Sequence, residues 1–459
     1  MGISRDVRIK EIDGETFKLV IQTVHEMPSG TVWANTAVHD QVFARRIGGV
    51  RFLKTAPPGD SPEDLVELGE LAAAMAWKSP LSGLPADGEK TVVYCPGGLP
   101  TPEQMAEILS YHLEEATKAD PGITFGPDIN CNEVVMQRLA DIHRMGDHVS
   151  GLLSGKGGLS IDGQGYTARG LEAALVAAAQ RLGWDLSKMR AVIQGFGAVG
   201  AHTARNLRRH GVAIHAASTV HGALVSETSE GLDVEELFAD WLECRERGRS
   251  DDAFKKFMAS PPPGSRVIDK NAIWTEKAEI FVPAARTDVL AMPDEVAHMR
   301  EAGNTGVMDV TRFVEATGVK VVIEGANHPV TNAAERHLES NGVFILPDYM
   351  VNCGGLIGCW ADWVYRRELQ SENGPRWYDQ LNESVPRLIS KVVGENVPRV
   401  LEITAMSPQG MRRATEDLAR RRREGLINRF RQAPEEARRD TSGRSFARLC
   451  LDGLLNSEI

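Results

Sequence analysis

The chain of 459 residues is 42% hydrophobic and 25% charged, which is an ordinary composition for a globular protein. At roughly 100–200 residues per domain, this length predicts at least two domains with sizeable cores. The formal net charge of −11 disfavours a general nucleic-acid-binding function, because such binding depends on clustered Lys and Arg. A local basic run, Arg420–Arg423, is flanked by acidic residues and is interpreted as a solvated helix face.

The cysteines and the lack of long apolar runs indicate the cellular compartment of the protein. No apolar run approaches the ~18 residues that a transmembrane helix needs, and the first residues lack the apolar core of a signal peptide. The six cysteines are scattered without a CxxC pair, which disfavours both a disulfide framework and a zinc site. We therefore expect a cytoplasmic protein without a metal cofactor, with neither a membrane nor a nucleic acid as its partner.

The first part of the chain, about 1–150, mixes strands and helices. Residues 14–52 alternate enough to predict strands. Apolar residues at helical spacing predict a helix over about 62–78. A short buried strand is predicted at 91–95, and 102–118 is predicted to be a second helix.

The middle of the chain follows a different pattern. A helix over about 167–182 precedes a strand at 191–196, which is followed by a glycine turn and a helix ending near Arg209. A second strand is predicted at 212–218. Strand, glycine turn, helix and strand in this order are typical of a βαβ unit with a parallel sheet.

The remaining pattern completes the predicted fold. Further strands are predicted at 280–284, 306–310, 320–325 and 343–347. The whole pattern predicts an α/β fold with two domains: a substrate domain at 1–150 and a Rossmann-type, doubly wound dinucleotide-binding domain at 151–349. The mainly helical residues 350–459 are predicted to return to the substrate domain.

The glycine turn carries a dinucleotide-binding fingerprint, GxGxxG. Its residues are Gly195, Phe196, Gly197, Ala198, Val199 and Gly200. The pattern alone is weak, but here it follows an apolar strand and opens a helix. Gly195 permits the tight turn, Gly197 lets the backbone approach a pyrophosphate, and Gly200 lets the helix pack against the strand. The helix N-terminus then offers free N–H groups to the phosphates.

The end of the second strand bears on the choice of cofactor. An acidic residue normally stands there and binds the adenosine ribose hydroxyls. This chain has Ser218 and Thr219 instead, so a 2′-phosphate would meet no repelling carboxylate, and His221 could assist its binding. The cofactor is therefore expected to be NAD or NADP, with a slight lean towards NADP.

Several separated motifs accompany the fingerprint in a fixed order. Before it stand IGGVRF (47–52), MAWK (75–78), DGEK (87–90), GPDINCNE (126–133) and TARG (167–170). After it stand VPAA (282–285), EGANHPVT (324–331) and PDYMVNCGGLIGCWADW (347–363). Together these motifs resemble those of the glutamate/leucine/phenylalanine/valine dehydrogenase family over roughly residues 30–370.

The resemblance implies oxidative deamination of an L-amino acid to a 2-oxo acid with NAD or NADP, or the reverse reaction. Such chemistry needs fixed cations for developing negative charge and a carboxylate as general base. By resemblance, Lys78 binds the substrate α-carboxylate, Lys90 lies beside the attacking water, and Asp128 accepts and donates protons. Residues implied to lie near the nicotinamide are Thr167, Ala284, Asn327 and Asn352. Family members commonly form hexamers or octamers, so a homo-oligomer is expected.

One motif departs from the family pattern. DGEK stands where the family has GGGK, so Asp87 and Glu89 add bulk and negative charge next to Lys90. Nearby anions are expected to favour protonated Lys90 and to hinder its proton exchange. Two alternatives therefore stay open: a reductase of an unusual imine or oxo acid, and a non-catalytic nucleotide-binding homologue.

The residues implied to line the substrate pocket are Gly48, Gly49, Ile47 and Cys359. Glutamate-specific members have a lysine where this chain has Ile47 and a serine where it has Cys359. Neither residue here carries a charge, which predicts a substrate with an uncharged side chain. Arg45 or Arg46 could supply the missing cation if its side chain turned inward.

Overall fold

The fold was analysed in a computed structural model. The structure describes residues 2–12, 15–57, 66–142, 146–247, 252–301, 303–406 and 410–456. The chain divides into two compact units. The first unit comprises residues 1–164, 356–388 and 419–459, and the second comprises 165–355 and 389–418.

The strands and helices follow one another along the chain. The strands are β1 Gly2–Ile12, β2 Glu15–Met27, β3 Gly30–Val38, β4 Arg46–Leu53, β5 Asp87–Tyr94, β6 Ile123–Pro127, β7 Arg190–Gln194, β8 Ala213–Ser218, β9 Ala223–Ser226, β10 Ser265–Ile268, β11 Ile280–Pro283, β12 Leu290–Ala291, β13 Met308–Asp309, β14 Val321–Ile323 and β15 Phe344–Leu346. The helices are α1 Val66–Leu81, α2 Pro102–Ala119, α3 Glu133–Ile142, α4 Ile161–Gln164, α5 Tyr166–Leu182, α6 Ala198–Arg209, α7 Val234–Glu246, α8 Lys255–Ala259, α9 Pro293–Glu301, α10 Val310–Thr317, α11 Asn332–Ser340, α12 Asp348–Val351, α13 Gly354–Val364, α14 Arg366–Leu369, α15 Gly374–Met406, α16 Met411–Gln432, α17 Glu435–Arg439 and α18 Arg444–Asn456. Within these described ranges, no helix combines the length and the apolar character needed to cross a bilayer.

The first unit contains a mixed sheet with the order β1-β2-β3-β5-β4-β6. The first four of these strands pair antiparallel, whereas β5, β4 and β6 pair parallel. Strand β5 begins at Asp87, earlier than the predicted 91–95, so the DGEK motif belongs to a strand.

Side-chain alternation along β5 separates two faces of this sheet. Val92 packs with residues of α1, whereas Val93 packs with residues of α2. By the same alternation, Lys90 shares the α1 face with Val92, and Glu89 shares the α2 face with Val93. Lys90 and Glu89 therefore point to opposite faces of the sheet and have different neighbours.

The second unit contains the parallel sheet that the sequence predicted. Its strand order is β10-β9-β8-β7-β11-β14-β15. Neighbours from β8 through β7, β11 and β14 to β15 pair parallel, whereas β9 pairs antiparallel with both β8 and β10. The predicted strand at 306–310 forms only in part, over Met308–Asp309, and lies outside the seven-stranded sheet. Only β13 forms there, pairing with β12 in a separate ladder, because Asp309 caps α10 and turns the chain into a helix.

The unit boundaries differ from the predicted ones at two points. Residues after 150 stay with the first unit because Asp362 accepts hydrogen bonds from the backbone N–H groups of Gly151 and Leu152. Residues 389–418, which were predicted to return to the substrate domain, belong to the second unit.

Candidate active site

A buried cluster of charges brings together the two predicted proton-handling residues of the first unit. Lys90 Nζ on β5 donates a hydrogen bond to Asp128 Oδ2, just after β6. Arg51 Nε on β4 donates to the same oxygen at 3.1 Å. The side chain of Lys90 is 3% exposed and that of Asp128 is 14% exposed. Sequence analysis did not single out Arg51, although it stands inside the IGGVRF motif.

The charges of this cluster set its protonation. Burial, together with the cations Arg51 and Lys78, lowers the pKa of Lys90 from 10.5 to about 8, against the opposing effect of Asp128. Burial would raise the pKa of Asp128, but Arg51 and Lys90 outweigh it and hold that pKa well below its ordinary value. The pKa of Lys90 is thus lowered, the opposite of the shift expected from neighbouring anions, although a pKa of about 8 still leaves the ammonium form predominant at pH 7.

Asp87, the first residue of DGEK that departs from the family pattern, makes a structural contact away from Lys90. Its carboxylate accepts hydrogen bonds from Phe43 N at 2.6 Å and from Arg423 Nη2 at 2.7 Å. Arg423 also pairs with Asp40 at 2.5 Å. The interpretation of the basic run as a solvated face is thus wrong for Arg423, which neutralises a fully buried carboxylate.

Glu89, the second unusual residue, lies on the α2 face of the sheet. Thr91 Oγ1 donates to Glu89 Oε2 at 3.3 Å, and Thr91 hydrogen bonds in turn with Thr36, which contacts His112 of α2. Burial raises the pKa of Glu89 from 4.5 to about 8. Glu89 is therefore an uncharged acid at neutral pH, on the side of the sheet away from Lys90.

The two glycines of IGGVRF border opposite faces of the first sheet. A Cβ on Gly49 would lie 2.7 Å from the Cβ of Asp128 and 3.1 Å from Lys90 Nζ, so a side chain there would displace the charged cluster. A Cβ on Gly48 would instead lie 2.8 Å from Glu89 Oε1. Only Gly49 therefore borders the cluster.

Lys78 occupies the last turn of α1, which packs on the same face of the sheet as Lys90. Its side chain is 6% exposed. The influence of its charge on the pKa of Lys90 places the two ammonium groups in one electrostatic environment. The first unit thus gathers three cations and one ionised carboxylate with little exposure to solvent.

The two residues predicted to meet the substrate side chain are uncharged and buried. Ile47 is 2% exposed and Cys359, on α13, is 7% exposed. Burial raises the pKa of the Cys359 thiol well above its ordinary value, so this group is neutral. Its Sγ lies 3.4 Å from the point where a Cβ of Gly151 would stand, and that point is 2.4 Å from the ring of Pro127, the residue before Asp128.

Neither neighbouring arginine supplies a cation to Ile47. Arg45 Nε donates to the carbonyl oxygen of Ser442 at 2.7 Å, and the guanidinium lies over the ring of Trp363. Arg46 Nε pairs with Asp120 at 2.8 Å. Both guanidinium groups are engaged elsewhere, which answers the reservation raised by the sequence.

The second unit forms the glycine turn between β7 and α6. Gly195 has a φ of +93°, and a Cβ there would lie 2.7 Å from the Cβ of Ala285. Gly197 caps α6 without any side-chain hydrogen bond, and no atom lies within 4 Å of where its Cβ would stand. This open backbone with free N–H groups fits the pyrophosphate of NAD or NADP.

The other fingerprint residues differ in their burial and in their packing. The side chain of Phe196 is 2% exposed and packs on Phe254, so this side chain belongs to the core and would not make the contact with a cofactor that the sequence predicts for this residue. Ala198 and Val199 open α6 and are half-buried. A Cβ on Gly200 would lie 1.9 Å from the carbonyl oxygen of Gly195, which confirms that this glycine permits close helix packing.

The chain after β8 presents no carboxylate between residues 218 and 222. Ser218 Oγ accepts a hydrogen bond from Gly195 N at 3.2 Å, and Thr219 Oγ1 accepts from His221 N at 3.3 Å. Lys270 Nζ donates to the carbonyl oxygen of Val220 at 3.4 Å. Lys270 thus adds a cation that sequence analysis missed, because no local motif marks it.

The residues predicted near the nicotinamide all lie in the second unit. Asn352 Nδ2 donates to Asn327 Oδ1 at 3.1 Å, which ties the two asparagines together. The Cβ of Ala284 lies 3.1 Å from the position of a Cβ on Gly325. Thr167 is half-buried in the first turn of α5, whose N-cap is another residue.

Comparison with known proteins identifies the family. The family model for Glutamate/Leucine/Phenylalanine/Valine dehydrogenase matches residues 157–416, more than half of the chain. This chain belongs to the glutamate/leucine/phenylalanine/valine dehydrogenase family. It is therefore an amino-acid dehydrogenase, an oxidoreductase that uses NAD or NADP.

Individual relatives agree with this assignment. The chain is 29% identical over 321 residues to a glutamate dehydrogenase of Thermotoga maritima, covering 67% of each chain. Among solved structures it resembles the hetero-hexameric, leucine-bound glutamate dehydrogenase of Thermus thermophilus, with 23% identity, 91% coverage of each chain and a TM-score of 0.66. It also resembles a glutamate dehydrogenase of Plasmodium falciparum, with 16% identity, 89% and 83% coverage and a TM-score of 0.68. The two structural likenesses show a shared dehydrogenase fold.

Proposed function

We propose that this dehydrogenase deaminates an L-amino acid with an uncharged side chain to its 2-oxo acid and ammonium, or catalyses the reverse reductive amination. The observation that carries the proposal is the buried contact of Lys90 and Arg51 with Asp128. A lysine whose pKa is lowered to about 8 and a carboxylate that stays ionised are the two groups such proton transfers need.

Each charged group has a distinct role in this proposal. Lys78 binds the α-carboxylate of the substrate, and Lys90 takes a proton from the attacking water. Asp128 accepts and returns the proton of the substrate nitrogen, while Arg51 keeps Asp128 ionised. The chemistry that NAD or NADP supplies when bound is the acceptance of a hydride from the substrate Cα.

The substrate preference rests on Ile47 and Cys359. A distal carboxylate placed against these neutral, buried side chains would lose its hydration without gaining a partner, at a cost of several kcal/mol. Since the relatives named above are glutamate dehydrogenases, glutamate is the competing substrate.

The cofactor preference rests on the chain after β8. No carboxylate stands within residues 218–222 to repel a 2′-phosphate, and Lys270 beside Val220 would offer it a cation. We therefore propose that NADP is preferred over NAD. We also propose a homo-oligomer; the hetero-hexameric Thermus thermophilus relative supports assembly into an oligomer, although its subunits are not all alike. Light scattering on the purified protein would give the number of subunits.

A substrate panel tests the function directly. Rates of L-amino acids with each cofactor, and of 2-oxo acids plus ammonia, should rank leucine, valine or phenylalanine above glutamate in kcat/KM. Glutamate ranking first would contradict the substrate proposal. Turnover of oxo acids only with other amines would favour the reductase of an unusual imine, and cofactor binding without turnover on any substrate would favour the non-catalytic homologue.

A further inference from the structure

Arg412, at the start of α16, lies at the centre of a buried charge cluster in the second unit. Its Nε donates to Glu335 Oε2 at 2.6 Å, its Nη1 to Asp348 Oδ1 at 3.0 Å, and its Nη2 to Glu324 Oε2 at 2.6 Å. These carboxylates are at most 4% exposed. They come from the end of β14, from α11 and from α12, and the planar guanidinium fixes their relative positions.

The guanidinium does not satisfy every carboxylate oxygen of this cluster. Three carboxylates share one guanidinium, and within the described part of the chain Glu324 Oε1 and Glu335 Oε1 have no hydrogen-bond partner. A buried ion pair with incomplete partners contributes little net stability, because desolvation offsets the attraction. The arrangement is therefore better explained by the geometry that it imposes than by the stability that it adds.

One carboxylate of the cluster, that of Asp348, also contacts the loop that carries Asn327. Asp348 Oδ2 accepts a hydrogen bond from the backbone N–H of His328 at 3.2 Å. His328 has a φ of +45°, a left-handed conformation that is unfavourable for a residue other than glycine and needs outside support. Asn352 N donates to the carbonyl oxygen of Asp348 at 2.8 Å, and Asn352 Nδ2 holds Asn327.

We propose that Arg412 is a positioning residue for the cofactor: through Asp348 it holds residues 326–328 in the conformation that presents Asn327 to the nicotinamide ribose. This inference rests on the cofactor-binding role proposed for Asn327 and Asn352. In this proposal Arg412 acts through the carboxylates that it binds; its guanidinium also lies 5.2 Å from the centre of the ring of Tyr349. Its loss therefore loosens the loop while the charged cluster of the first unit, with Lys90 and Asp128, is unaffected.

The test compares variants at two adjacent positions of α16. Arg412→Lys keeps the charge but not the three fixed donor directions, and Arg412→Gln removes both. Arg413→Gln, at the exposed next position, is the matched control. Cofactor affinity is measured by titrating the fluorescence of NADPH and NADH, and the KM values for cofactor and amino acid are measured separately, well below the melting temperature of each variant.

We expect both Arg412 variants to bind the reduced cofactor about tenfold or more weakly, which is the scale of losing one hydrogen bond to a charged group. The KM for the cofactor should rise while the KM for the amino acid stays unchanged, and Arg413→Gln should match the wild type. If Arg412→Gln fails to fold, Arg412→Lys and Asp348→Asn provide the same comparison.

A double-mutant cycle with Asn327→Ala decides whether Arg412 acts through the loop. If it does, Arg412→Lys should weaken cofactor binding much less in the Asn327→Ala background than in the wild type. Additive losses, or unchanged affinity in the Arg412 variants while Asn327→Ala binds weakly, would overturn the inference and leave the proposed function intact. A wild-type protein that binds neither dinucleotide would overturn both.

Discussion

Lys90 and Asp128 depend on each other for their charge states. Burial, with the cations Arg51 and Lys78, makes the ammonium form of Lys90 less favourable while Asp128 opposes this shift, and Arg51 and Lys90 together stabilise the ionised form of Asp128. Because both effects arise from side chains held in strands and a helix, the pair is arranged before any substrate arrives. Preorganised charge of this kind is the usual source of catalytic stabilisation.

Removing either proton-handling group should abolish most of the activity. Lys90→Ala and Asp128→Asn should each lower turnover by at least about a hundredfold, the lower end of general acid–base contributions. Cofactor affinity should be retained, because the dinucleotide turn belongs to the second unit. Steady-state kinetics on folded protein provides the measurement, and near-normal turnover in either variant would remove that residue from the mechanism.

A single carboxylate after β8 should change the nucleotide preference. Thr219→Asp places negative charge beside the position proposed for the 2′-phosphate and should weaken NADP binding more than NAD binding. Equilibrium titration of both cofactors measures the ratio of affinities. A strong preference of the parent protein for NAD would show that the interpretation of Thr219 is wrong, although the fold would be unaffected.

At the scale of elements, the α2 face of the first sheet contains a buried polar chain. Thr23 hydrogen bonds with His25 at 3.0 Å and with His112 at 2.8 Å, and His112 continues through Thr36 and Thr91 towards Glu89. Burial lowers the pKa of His112 to about 3, so its ring is neutral. Uncharged polar groups on β2, β3, β5 and α2 thereby fix the register of an otherwise apolar interface.

The acid at the end of this chain should make stability depend on pH. Between 4.5 and about 8, folded Glu89 holds a proton that the unfolded chain has lost. Its contribution to the free energy of unfolding is therefore complete below 4.5 and declines as the pH rises towards 8. In urea titrations over this range, Glu89→Gln should lose less stability than the wild type. Exposed Glu114→Gln is the control, and parallel pH profiles for all three proteins would contradict the assignment.

The elements differ in how far the sequence could predict them. The β7–α6 turn was predictable because its signal is local: an apolar strand, three spaced glycines and a helix. The position of Glu89 was not, because DGEK contains turn-forming residues, whereas pairing with β3 and β4 makes it a strand. Arg423 could not be assigned to Asp87 either, since 336 residues separate them and charge patterning alone favours a solvated helix.

At the scale of the whole molecule, the last segment of the chain completes the first unit. Phe43 packs with the buried side chains of Leu426, Ala437, Phe446 and Cys450. A protein truncated after residue 418 should therefore show a lowered melting temperature for the first unit, because it also loses the partner of Asp87. Calorimetry and limited proteolysis would measure this loss, and an unchanged melting profile would show that residues 419–459 are dispensable for stability.

The division of the first unit into three chain segments also has a consequence for its synthesis. The ribosome releases residues 1–164 first, but the segments at 356–388 and 419–459 follow only after nearly all of the second unit has emerged. Domains generally fold as units when their parts are available. We therefore expect the second unit to complete its core first, while the nascent first unit exposes apolar surface for much of translation and depends on chaperones during that interval.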